Sequence, residues 1–135
     1  MKPIILTLLA SFLLSMVACT TYEEGPDFSV FPVNYRVTNT WEWGYSLRNE
    51  ENLTGEYADS TIQFRDDGVV RICDTLDNCR EGSWNLVRKR TRLQMIFGEQ
   101  AVAYEIRMLR RDELWLSYQD PEDTLLVEWE LVPAR

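Results

Sequence analysis

"TRLQMIF" (91–97) and "QAVAYEIRML" (100–109), joined by Gly98 and Glu99, decide the fold. Leu93, Met95 and Phe97 alternate with Arg92, Gln94 and Ile96 in the first run. In the second, Val102, Tyr104, Ile106 and Met108 alternate with Ala103, Glu105 and Arg107. A period of two gives a strand with one dry face and one wet face. A two-residue link that opens on glycine is a hairpin signal.

The same alternation extends outward to 40–48, 60–65, 68–74, 80–87, 113–119 and 123–132. Turn signals separate these runs, among them "DDG" (66–68), "DTLDN" (74–78), "RKR" (88–90), "RRD" (110–112) and "DPE" (120–122). The dry face begins with Trp41, Trp43, Tyr45 and Leu47 and ends with Val127, Trp129 and Leu131. Eight runs joined mostly by short turns predict an all-β, eight-stranded antiparallel up-and-down barrel over 40–135, since closure removes both exposed edges. "VNYRVTN" (33–39) predicts a short helical turn before the first strand.

The N-terminus reads as an address. After Met1 and Lys2, residues 3–18 carry no charge, a length that suits a secretory leader better than a permanent span. "MVAC" (16–19) resembles a bacterial lipobox, with Met16 where Leu is commonest. That resemblance implies removal of residues 1–18, acylation of Cys19 and a membrane anchor in palmitate-like chains. Thr20 differs from the Asp that marks inner-membrane retention, and Glu23 and Glu24 resemble a surface-export signal. The outer membrane is the expected location, on either its periplasmic or its surface face. Residues 19–39 read as a lipidated tether and short N-terminal segment.

The 135 residues carry a formal net charge of −8, which argues against nucleic acid, a partner that rewards clustered Lys and Arg. With Cys19 acylated, Cys73 and Cys79 remain as an even pair bracketing one turn, and a disulfide between them is expected. The sequence has no histidine, which removes the commonest general base and zinc ligand. No nucleophile elbow or phosphate loop appears. A non-enzymatic monomer without metal or cofactor is therefore expected.

The lipobox, "EEGPDFS" (23–29), "NTWEW" (39–43), "FRDDG" (64–68) and "GSW" (82–84) together resemble small lipocalin-like lipoproteins of Bacteroides-type bacteria. Asn39 stands where lipocalins carry the glycine of Gly-x-Trp. The resemblance implies a barrel able to bind small molecules and brings no catalytic residues. Trp43, Tyr45, Tyr104 and Trp129 are the candidate lumen contacts. Asp59-Ser60, Asp74-Thr75 and Asp123-Thr124 resemble the O-glycosylation acceptors of the same bacteria.

Alternate turns of a meander share an end. One end gathers Glu50, Glu51, Glu56, Asp59, Asp74, Asp77, Glu99, Asp120, Glu122 and Asp123 into an acidic mouth. The other gathers Arg65, Arg88, Lys89, Arg90, Arg110 and Arg111, and the tether emerges there. Like charge concentrates oppositely charged partners. The expected ligand is thus small and hydrophobic or cationic; the alternative is a basic protein met by the acidic loops.

Overall fold

The computed structural model describes residues 22, 23, 25, 29–122 and 124–135. The expected acylation of Cys19 and the acidic-mouth residue Asp123 lie outside them. Helix α1 (Val33–Val37) precedes β1 (Asn39–Arg48), β2 (Glu51–Asn52), β3 (Thr61–Phe64), β4 (Val69–Cys73) and β5 (Cys79–Val87). Then come β6 (Arg92–Phe97), β7 (Gln100–Leu109), β8 (Leu114–Gln119) and β9 (Leu126–Pro133). Strand β2 is a two-residue ribbon on the end of β1, with left-handed Asn49 and Glu50 making the turn. The other eight strands run in sequence order, each antiparallel to the next, and β1 pairs with β9 to close the barrel.

Chain chemistry accounts for the register. Leu93, Met95 and Phe97 sit opposite Tyr104, Val102 and Gln100, with Gly98 at positive φ in the link. Cys73 and Cys79 are direct partners across β4–β5 at a Cα separation of 4.1 Å, and their disulfide is closed. Close antiparallel pairs provide that spacing. A fully buried layer containing Trp41, Ile62, Phe64, Val70, Leu93 and Leu131 fills the basic half of the lumen.

Two bulges change the expected facing. Between Trp43 and Tyr45 the register of β1 on β9 slips, so Trp43 opposes Leu131 but Tyr45 opposes Glu130. A one-residue slip turns every later side chain over. Tyr45 and Leu47 therefore lie on the outer face, and Ser46 and Arg48 on the inner one. The second slip, between Ile106 and Met108, puts Met108 outside opposite Trp115 and leaves Leu109 inside opposite Leu114.

The segment before β1 is also more than a tether. Tyr22 is buried in the core, and its hydroxyl donates to the Arg90 carbonyl at 3.2 Å. Gly25 forms a parallel bridge to Met108 and accepts from the Leu109 N–H. Helix α1 caps the same end. Its Arg36 is buried, donating to the Leu109 carbonyl at 2.7 Å and the Phe31 carbonyl at 3.1 Å. The Trp41 indole N–H donates back to Val37 at 3.0 Å.

Beside this plug the β5–β6 turn is strained. Arg88, Lys89 and Arg90 have φ of 52°, 55° and 65°. A left-handed non-glycine residue costs about 1 kcal/mol or more, and nothing but the turn demands three in succession.

Candidate functional site

The acidic half of the lumen is aromatic. Trp43 from β1 and Trp129 from β9 meet edge to face at 5.5 Å between ring centroids. Tyr104 from β7 stacks on Trp129 at 4.8 Å, and Tyr118 from β8 lies 5.8 Å beyond it. Tyr57 closes the group from above, stacked on Trp43 at 4.7 Å. It belongs to the 3-10 turn Thr54–Tyr57, which follows β2 and is not part of the barrel wall. Three of the four expected lumen residues, Trp43, Tyr104 and Trp129, thus converge. Tyr45 does not join them.

Register places two cations with this cluster. Arg48, beyond the first bulge, opposes Val127, which is buried and itself opposes Tyr118. Arg80 opposes Ile72, the partner of inward-facing Ile62, so it too is on the inner face. Its guanidinium lies 4.6 Å from the centroid of the Phe97 ring. Both arginines are exposed at the mouth. Gly82, one inward position further down β5, has no room for a side chain, because a Cβ there would lie 2.8 Å from Phe97 Cδ1. That allows the Phe97 ring to lie beside the β5 backbone.

Burial pushes the Tyr104 phenol up to about 12; Tyr57 and Tyr118 reinforce the shift, and Arg48 and Arg80 oppose it. Tyr104 is therefore a hydroxyl donor throughout the physiological range. The shift sets an alkaline limit on the fold. Above pH 10 the unfolded chain ionises this phenol and the folded one does not, so its contribution is full below pH 10 and fades towards pH 12. Two pH units of difference correspond to about 3 kcal/mol. Urea titrations at pH 9 and pH 12 are expected to show that loss in the parent and a smaller one in Tyr104→Phe. Equal losses in both would reject the assignment.

The polar groups that face inward here include the guanidinium groups of Arg48 and Arg80 and two indole N–H groups, which only donate, and the tyrosine and Ser46 hydroxyls, which donate and accept. Among the described residues, the Nε1–H groups of Trp43 and Trp129 are buried and find no acceptor. Both side chains are more than nine-tenths buried. Buried polar groups are nearly always hydrogen-bonded, and each exception calls for a reason.

The acidic residues occupy the rim. Asp120 accepts from the Thr124 hydroxyl and from the Thr124 and Leu125 N–H groups, which hold its carboxyl below the usual range. Asp74 is held down by bonds from Asn78 and from the Leu76 N–H. These two carboxylates stabilise their own loops. Glu50, Glu51, Asp77, Glu99 and Glu122 stand exposed around them. Ser60, one of the three glycosylation-like positions, is buried, and the Thr124 hydroxyl is bonded to Asp120. Thr75 is exposed.

Tyr45 lines a separate cavity of about 240 Å³ on the outer wall, with Arg107, Trp115, Glu128 and Glu130. Burial and the neighbouring Glu113 and Glu128 raise the Glu130 carboxyl, against the pull of Arg107. A larger cleft, of about 810 Å³, opens at the basic end beside α1, where Arg36, Arg90 and Arg111 share its lining with Tyr35 and Trp84.

Sequence reasoning found the aromatic wall but missed Tyr57, Arg48 and Arg80. Gly44, alone inside an alternating run, is the signal of a bulge, and it would have turned Arg48 inward. Tyr57 sits in a turn and carries no periodicity. No protein-family model matches the chain, and no curated protein matches it.

Proposed function

We propose that the protein is a lipid-anchored barrel, held at the outer membrane through Cys19, that binds a small planar molecule at the acidic-end lumen. The ligand has an apolar or aromatic body and a hydrogen-bond-accepting, preferably anionic, group. One observation carries this reading: the buried indole N–H groups of Trp43 and Trp129 lie without acceptors inside an aromatic cluster bordered by Arg48 and Arg80. A ligand body stacking in place of Tyr57 would bring an acceptor to them. Arg48 and Arg80 stand at the entrance to select its charge. The reading keeps the hydrophobic ligand expected from the sequence and reverses its sign, because the rim carboxylates lie outside the lumen and the cations face into it.

Anilinonaphthalene sulfonate, a planar aromatic anion, tests it directly. Fluorescence titration is expected to show saturable binding that weakens roughly tenfold in Arg48→Gln/Arg80→Gln, equivalent to about 1.4 kcal/mol. Dansyl trimethylammonium, a cation of similar size, is expected to bind poorly. Preference for the cation, or equal affinity of parent and double variant for the anion, would overturn the proposal. Native mass spectrometry of protein from its own host then identifies what is carried.

A further inference from the structure

We infer that the basic end of the barrel is a membrane-docking face, with Val30, Phe31 and Tyr35 set into an anionic lipid surface and Arg88, Lys89, Arg90 and Arg111 resting on its head groups. The inference rests on the anchored reading above for its orientation, and extends it from a point of attachment to a defined contact.

The first support is where the exposed apolar surface lies. The large hydrophobic side chains left exposed among the described residues are Val30 at 75%, Phe31 at 38%, Tyr35 at 56% and Leu76 at 79%. Three of these four belong to the short segment that caps the basic end. Phe31 and Tyr35 stack at 5.5 Å, and the Arg111 guanidinium sits 5.1 Å from the Phe31 centroid. An aromatic pair under a cation, each half exposed, suits the boundary between head groups and acyl chains.

Charge is the second support. The protein is acidic overall, so an anionic surface repels it in general. The basic end is the exception. Arg88, Lys89 and Arg90 project from the strained turn, with Arg110 and Arg111 from the next turn at that end. Of the acids there, Asp67 is paired with Arg65 at 2.8 Å, leaving Asp66, Asp112 and Glu113 against these cations. The 810 Å³ cleft opens on the same face and gives Tyr35, Arg90 and Arg111 a common space. Its guanidinium groups can donate to the phosphate of a lipid head group, and Asp66 is the one acid among its described lining residues.

The third support is a length. Tyr22 is fixed at this end by burial and by its bond to Arg90. Cys19 is three residues earlier, and three residues span at most about 11 Å. A lipid on Cys19 would therefore keep the basic end close to the acyl chains, whatever path those residues take. The opposite end, with the aromatic lumen, faces away from the membrane.

The test uses the processed protein purified from its own host and mixed with phosphatidylcholine vesicles, with or without phosphatidylglycerol, that carry head-group nitroxides. Bimane is placed at Val30→Cys on the docking face or at Glu122→Cys on the far rim. Quenching at position 30 is expected to exceed that at 122 several-fold when phosphatidylglycerol is present. The difference is expected to shrink in high salt, because exposed charges are screened, and in Arg88→Gln/Lys89→Gln/Arg111→Gln. Equal quenching at both positions, or a contrast indifferent to lipid charge, would overturn the docking face. The intact mass of the Cys19 peptide is read separately. An unmodified Cys19 would reject the anchor, and the contrast between positions 30 and 122 would still decide the docking face.

Discussion

Gly82→Ala is expected to destabilise the barrel by about 3 kcal/mol or more, at the upper end of overpacking effects. An added methyl would clash with the Ile96 carbonyl oxygen and lie 2.8 Å from Phe97 Cδ1. The nearer obstacle is backbone in the adjacent strand, so no rotamer change relieves it. Strands β5 and β6 would have to part, or Phe97 leave its place under Arg80. Gly55→Ala is the control, since nothing lies within 4 Å of a Cβ there. Urea unfolding of the two variants reads the difference. A Gly82→Ala midpoint close to that of the parent would show that the tight contact between β5 and β6 is not needed.

Removing the indole of Trp41 is expected to cost about 3–5 kcal/mol, the range for a large aromatic cut back to alanine. The side chain is fully buried at the base of the lumen, and its N–H caps the Val37 carbonyl. Domains of this size hold only about 5–15 kcal/mol in total, so Trp41→Ala is expected to bring the fold close to failure. Trp41→Phe keeps most of the volume and loses the bond to α1, and is expected to cost about 1–2 kcal/mol. Thermal melts of the pair separate packing from capping. Equal losses would mean that the hydrogen bond, not the ring, holds this end closed.

Strand order, the barrel and the disulfide were legible because alternation and turn residues report directly on a two-sided sheet. The two bulges were not, for a simple reason. After Gly44 the residues Tyr45 and Leu47 remain apolar at odd positions, so the pattern looks unbroken although the face has changed. Met108 misleads in the same way, staying covered outside the barrel at its bridge with Gly25. The plug was hidden because Tyr22 acts as one side chain in an aperiodic stretch. The inward cations were not legible: Arg80 opens the 80–87 run on the parity of Trp84 and Leu86, but a charge at a strand end reads as solvated until its pairing with Ile72 is known.

The seam between β1 and β9 has a kinetic consequence. Every other long pairing joins neighbours along the chain, whereas the seam joins Trp41 to Pro133 and Arg48 to Val127. Such distant pairings are slow because loop closure comes before any reward from contact. Hairpins are therefore expected to assemble first, leaving a curled ribbon with two bare edges until the ends meet. Asn49 then acts as the latch: its side chain accepts from the Leu126 N–H and donates to the Thr124 carbonyl, and its own N–H donates to Leu126. In stopped-flow refolding, Asn49→Ala is expected to speed reopening far more than it slows assembly, marking the latch as the final event by which an open ribbon becomes a tube.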